Sequence, residues 1–142
     1  MNYLVDVNIL VAWGWSDHVE HARVASWIAA LPTDELLLTS AIPQLGFVRV
    51  SVQQSGGLVT VSEAAETLRG MLALLGERHR FLPDAIDALH WPDWCRSPAQ
   101  TTDAHLLDLA LANSATLATL DTAIPGAIVL PPLTPVRNGF SQ

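Results

Sequence analysis

The chain has 142 residues and a mass of 15.3 kDa, the size of one domain, and surface scaling lets a chain of this length bury about 68% of its unfolded surface. Half of its residues are hydrophobic and its mean hydropathy is +0.31, which excludes disorder over most of its length, and no apolar run approaches the ~20 residues of a membrane span. Fourteen acids face seven bases, all of them arginine, for a net charge of −7; this excludes general polyanion binding through clustered positive charge.

The N-terminal Met1-Asn2-Tyr3-Leu4-Val5-Asp6 places an acid where a secretory signal would be basic and then apolar. The lone Cys95 has no internal disulfide partner, which fits a reducing, cytoplasmic setting.

In chain order, Tyr3-Leu4-Val5 predicts a short buried strand ending at Asp6. Asn8–Ala12 turns helical. Asp17 and Glu20 have capping-box spacing for a helix that Pro32 stops. Leu36–Thr39 is a continuous apolar run, the pattern of a buried parallel strand rather than a half-exposed one. Ser40 to Gln54 predicts a helix with Pro43 in its first turn, broken at Gly56-Gly57. Thr60 and Glu63 form a second capping box, opening a helix through Glu77. A brief strand is expected around Arg80–Pro83, and a short helix and loop between Asp84 and Gln100. Thr102 is expected to cap the next helix, followed by strands at Thr116–Leu120 and Ala127–Leu130, with prolines closing the tail. Strands that alternate with helices and are apolar throughout predict a three-layer α/β/α sandwich with a mainly parallel sheet, in a single domain over 1–142.

In such a sheet the functional cleft lies at the carboxyl ends of the strands. Asp6 ends the first strand, Asp121 follows Thr116–Leu120, and Asp103 falls in the expected first turn of the preceding helix. There a helix N-terminus would favour its ionised form. Each has a plain structural reading alone, a cap or a strand-end turn. Together, three converging carboxylates would repel one another without a cation, and oxygen-only donors suit Mg²⁺ or Mn²⁺ rather than zinc. His18 and His21 are three apart but lack further ligands at zinc spacing, and read as solvated helix residues. His105 points to a different helix face from Asp103. Cys95 reads as an incidental thiol. No glycine-rich phosphate loop or G-x-S-x-G elbow occurs.

Leu4-Val5-Asp6-Val7-Asn8-Ile9-Leu10 resembles the D-x-N first motif of the PIN-domain nucleases. Thr102-Asp103-Ala104-His105-Leu106-Leu107-Asp108-Leu109-Ala110 resembles their T-D-A-x-L-L-x-L-A segment, and Leu117–Asp121 their L-x-T-x-D strand end. Pro43–Val50 and Arg80–Asp84 are similar to segments of the VapC toxins, the ribonuclease half of bacterial toxin–antitoxin pairs. The resemblance runs in order over nearly the whole chain. It implies a PIN fold, a Mg²⁺- or Mn²⁺-dependent endoribonuclease, an RNA substrate, a VapB-like antitoxin partner and a homodimer, with no membrane association.

Residue by residue, Asp6, Asp103 and Asp121 match the first, third and fourth family acids as metal ligands. Asn8 and Thr119 match residues that orient the site. At the second acid, usually glutamate, this chain has Gln44; the nearest glutamate, Glu35, precedes its strand and would lie at the wrong end. The change implies weakened or absent activity, so an inactive module that binds antitoxin or RNA is the alternative. Arg49 is a candidate to steer an RNA backbone, and Arg96 reads as a surface residue. Apolar surface for self-association is expected around Phe47, Val48, Leu68 and Leu72. A haloacid-dehalogenase-type phosphatase is disfavoured, because its D-x-D pair would need an acid at Asn8 and the chain has no lysine.

Overall fold

The computed structural model describes residues 1–133. Five strands, β1 (Tyr3–Val5), β2 (Leu37–Ser40), β3 (His79–Leu82), β4 (Thr116–Thr119) and β5 (Ile128–Val129), form one sheet in the order β3-β2-β1-β4-β5. Every neighbouring pair is parallel, with Leu4 opposite Leu38 on one side and Leu117 on the other. The helices are α1 (Val7–Gly14), α2 (His21–Ala30), α3 (Ala41–Gln54), α4 (Val61–Leu75) and α5 (Pro98–Ala112).

The unbroken apolar strands follow from burial on both faces. Successive strand residues point to opposite sides, and Leu4, Leu38 and Leu117 enter one core while Val5, Leu37 and Ala118 enter the other. The larger core packs Ile9, Leu10, Val24, Phe47, Leu68 and Met71 from α1 to α4. The smaller one sets Leu106, Leu109 and Ala110 of α5 on the opposite face. The result is the three-layer α/β/α arrangement expected from the sequence.

The Thr60 cap is confirmed: Glu63 N–H donates to Thr60 Oγ1 at 3.1 Å, and Thr60 Oγ1 donates to Glu63 Oε1 at 3.1 Å. Four local expectations need correction. Asp17 does not cap α2. The chain from Trp15 makes two tight turns, with backbone bonds from His18 to Trp15 and from His21 to His18, so α2 begins only at His21. The α4 helix stops at Leu75, because Gly76 takes φ +56 and a 3₁₀ turn follows. There is no helix between Asp84 and Ser97. The last helix, α5, instead starts at Pro98, four residues before Thr102. Pro at the first helical position is pre-organised for it, and Gln100 Oε1 accepts the Ser97 N–H at 3.2 Å.

Phe47 and Leu68 do not offer free surface, being 0% and 7% exposed. Val48 and Leu72, with Leu45, Val61 and Phe81, do line a surface groove between α3, α4 and the β3 edge. The proline-closed tail continues past residue 133, outside the described residues. Among the described residues, no helix is long and apolar enough to cross a membrane.

Candidate functional site

The strand order reverses direction between β1 and β4, and this switch point is where a parallel sheet opens a crevice at its carboxyl edge. Asp6 leaves β1 there and caps α1, and Asp121 leaves β4 beside it. Asp6 is 5% exposed, and both of its oxygens are engaged. Val7 N–H donates to Oδ1 at 2.7 Å and Thr119 Oγ1 donates to Oδ2 at 2.9 Å.

Thr119 is a hub. Its hydroxyl donates once, to Asp6, and accepts twice, from Asn8 Nδ2 at 3.2 Å and from Asp121 N–H at 3.0 Å. That is the full capacity of a hydroxyl group. Asn8 Oδ1 in turn accepts the Leu120 N–H at 3.2 Å, tying α1 to the end of β4. Asn8 and Thr119 thus fix the backbone on which Asp6 and Asp121 stand.

A cleft of about 350 Å³ opens over this hub, lined by Asp6, Asn8, Asp103 and Asp121 together with His18, Arg49, Val50, Gln54 and Thr102. Asp103 sits in the second turn of α5 because that helix starts early. The favourable helix-terminus effect expected for it is replaced by the opposite. Burial, then the charges of Asp6 and Asp121, push its pKa up from 3.8 to about 6. The Asp6 pKa is also raised, mainly by burial and secondarily by Asp121; its two hydrogen bonds act in the other direction.

Gln44 is not among these residues. Its Nε2 donates to Thr39 Oγ1 at 3.0 Å, and Thr39 in turn bonds His79 Nε2 at 2.6 Å. Its side chain borders the apolar groove between α3 and α4. The structure turns Gln44 toward Thr39, outside the lining of the cleft that holds the three acids. At about 100° per residue, Gln44 lies roughly 120° around α3 from Val50, which does face the cleft. His105 points away as expected, bonding Asp84 Oδ2 at 2.6 Å and anchoring the loop after β3. Arg96 lies outside the cleft, bonding the Asp93 carbonyl.

Sequence reasoning missed His18 and Gln54 as parts of the cleft wall. The turns that carry His18 have no periodic signal. Gln54 was detectable only as the residue one turn beyond Val50.

Whether the acids suit a divalent cation can be judged from their chemistry and spacing. The donors are carboxylates alone, neighbouring acid charges add to the raised proton affinity of Asp6 and Asp103, and a cation among them would remove that repulsion. Among the described residues, no three His, Cys, Asp or Glu side chains form a group able to hold a metal ion as they stand. The acids share an electrostatic field without sharing a ready-made coordination shell. Mg²⁺ accepts such an arrangement, since it keeps several waters and takes one or two carboxylates directly.

The PIN domain family model matches residues 3–127. Ribonuclease VapC38 of Mycobacterium tuberculosis is 35% identical over 137 residues, covering 94% of this chain and 95% of its own. Ribonuclease VapC44 of the same species is 36% identical over 137 residues, covering 89% and 94%. The crystal structure of M. tuberculosis VapC20, a sarcin-ricin loop cleaving toxin, superposes with a TM-score of 0.62 at 14% identity. It covers 86% of this chain and 92% of that one, a likeness of fold. A family match over most of the chain and relatives above 30% identity along nearly all of it establish that this chain belongs to the PIN-domain family, among its VapC-type ribonucleases.

Proposed function

We propose that the chain, as one domain over residues 1–142, is a divalent-metal-dependent endoribonuclease acting as the toxin of a toxin–antitoxin pair. The observation that carries this reading is the meeting of Asp6, Asp103 and Asp121 in one cleft at the switch point of the sheet, each raising or sharing in the others' field. Asp6, Asp103 and Asp121 would hold Mg²⁺ or Mn²⁺, directly or through water. Bound there, the cation supplies a more acidic water and charge stabilisation at a phosphodiester. Asn8 and Thr119 keep the Asp6 carboxylate and the Asp121 backbone fixed. Arg49, in the wall of the same cleft, offers a positive charge to the RNA backbone in an otherwise acidic protein. The toxin role brings with it a VapB-like antitoxin and a second copy of the chain as partners. The apolar groove of Leu45, Val48, Val61, Leu72 and Phe81 supports such an association, and the cytoplasm is the compartment in which it would act.

With Gln44 turned toward Thr39, the cleft has three carboxylates rather than the family's four, and cleavage is expected to be slow. Incubation of the purified protein with structured RNA and Mn²⁺ should give cleavage that EDTA abolishes. Asp121→Asn should reduce it by at least about a hundredfold, the scale of losing one positioned electrostatic group. Gln44→Glu should give no gain, since position 44 faces Thr39. No cleavage by the unaltered chain, with RNA or antitoxin still bound, would favour the second reading of an inactive binding module. The absence, among the described residues, of a three-carboxylate group at metal-holding distance is the observation on that side.

A further inference from the structure

The acidic cleft does not end at His18 and Gln54. Both side chains also line a second cavity of about 270 Å³, whose other walls include Trp15, Asp17, Ser51 and Ser55. Two adjoining compartments therefore share part of one wall, and they differ in chemistry. The first gathers Asp6, Asp103, Asp121 and Arg49, groups suited to a phosphate and its counter-cation. The second holds an aromatic ring, one carboxylate, an amide and small hydroxyl groups.

Trp15 is held firmly. Its indole N–H donates to Ser51 Oγ at 2.8 Å, and its ring lies parallel to that of Phe47, with 6.1 Å between centroids and 1° between planes. The Ser55 hydroxyl is also engaged, donating to the Val52 carbonyl and accepting the Val59 N–H. His18 Nδ1 accepts the Glu20 N–H at 3.0 Å, which leaves its Nε2 as the nitrogen available to a ligand. Among the described residues, no hydrogen bond to protein engages the side chains of Asp17 or Gln54, and both are exposed. A fixed aromatic wall with an unengaged carboxylate and amide around it matches a nucleobase, which offers a π-face for stacking and an edge for hydrogen bonds. An uncharged base is also the part of RNA that a protein of net charge −7 does not repel.

We propose that this cavity is the subsite for a nucleobase next to the scissile phosphate, resting on the nuclease reading above, and that Asp17 makes it prefer guanine. Guanine alone presents two adjacent donors, N1–H and N2–H₂, on one edge. These match the two oxygens of a carboxylate, as the fork of an arginine does. Adenine and cytosine offer one amino group there, and uracil one imino N–H.

The test uses uncharged nucleosides, so that neither metal nor cleavage enters it. Guanosine titrated into ¹⁵N-labelled protein should shift the Trp15 indole N–H and the Ser51 and Ser55 amides, with the indole signal assigned by Trp15→Phe. Adenosine, cytidine and uridine should shift them less at equal concentration. Asp17→Asn, at an exposed position, should lower guanosine affinity about tenfold, the scale of one good bidentate base contact. Gln54→Ala should lower it by a smaller factor. Cavity signals that no nucleoside moves, equal shifts from all four, or an unchanged affinity in Asp17→Asn would each overturn the proposal. Guanosine binding without RNA cleavage would uphold the base site and overturn the nuclease reading. Metal-dependent cleavage with a silent cavity would do the reverse.

Discussion

Asp103 is the residue whose environment most changes its chemistry. Burial makes its carboxyl group harder to ionise, and the charges of Asp6 and Asp121 add to the effect, so its pKa stands at about 6 against an ordinary 3.8. The native state therefore binds more protons than the unfolded chain between those two values. Stability from this group is fully present below 3.8 and is lost as the pH rises through 6. Asp103→Asn removes the penalty. In EDTA, the variant should melt above the unaltered protein at pH 7.5, the gap should narrow as the pH falls through 6, and it should close near pH 4. A gap that stays constant with pH would show that Asp103 is solvated rather than crowded. The sequence marked this residue as part of the site but not its electrostatic state. The start of α5 was hidden because Pro98 and Gln100, four and two residues ahead of Thr102, open the helix. Gln44 shows the opposite failure. Its motif position was legible, but the face of α3 on which it lies depends on how that helix docks.

The docking of α3 on α1 depends in turn on two glycines, Gly14 against the Phe47 ring and Gly46 against Val7. A Cβ added to Gly46 would stand 2.5 Å from Val7 Cγ2 and 2.9 Å from Cγ1. Val7 is β-branched and stiff, and its N–H is the one that holds Asp6 Oδ1. Close approach of α3 to α1 is thus coupled to the position of the first acid. Gly70, in the middle of α4, has nothing within 4 Å of an added Cβ. Gly46 and Gly70 should respond in opposite senses to the same change. Gly70→Ala should stabilise by about 0.5–1 kcal/mol, because a helix interior disfavours glycine by that amount. Gly46→Ala should destabilise by about 1–3 kcal/mol, the usual cost of overpacking. Denaturant melts of both variants check this, and a stabilising Gly46→Ala would mean that α3 does not approach α1 so closely. At this scale β1 and β2 were readable from continuous apolar runs and α4 from the Thr60–Glu63 pair. The start of α2 was not, because the turns from Trp15 to Glu20 are held by backbone bonds and one His18 side-chain bond that follow no helix-start pattern.

At the scale of the molecule, the site follows from topology. A five-stranded parallel sheet has one switch point between β1 and β4, and acids that end those strands must meet there wherever they lie along the chain. That is why Asp6 and Asp121, more than a hundred residues apart, could be paired from sequence alone, whereas His18 and Gln54 reach the cleft through helix docking that no sequence rule describes. The same topology concentrates negative charge. Three acids stand in one cleft of a chain with net charge −7, and the raised pKa values of Asp6 and Asp103 reflect their burial first and this shared charge second. A ligand that binds only the native state and neutralises this charge must stabilise the fold, by about 2.7 kcal/mol when present at 100 times its Kd. For a chain of this size that is a rise in Tm of several degrees. Millimolar Mn²⁺ or Mg²⁺ at pH 7.5 should produce it, and NaCl at matched ionic strength should not, because monovalent screening acts weakly on partly buried charges. Asp121→Asn should start from a higher Tm without metal, having lost a repelling charge, and should gain less from Mn²⁺. Scanning calorimetry of both proteins with and without metal separates the two effects. If Mn²⁺ shifts both Tm values equally, the ion binds elsewhere, and the cleft would be acidic for a purpose other than metal.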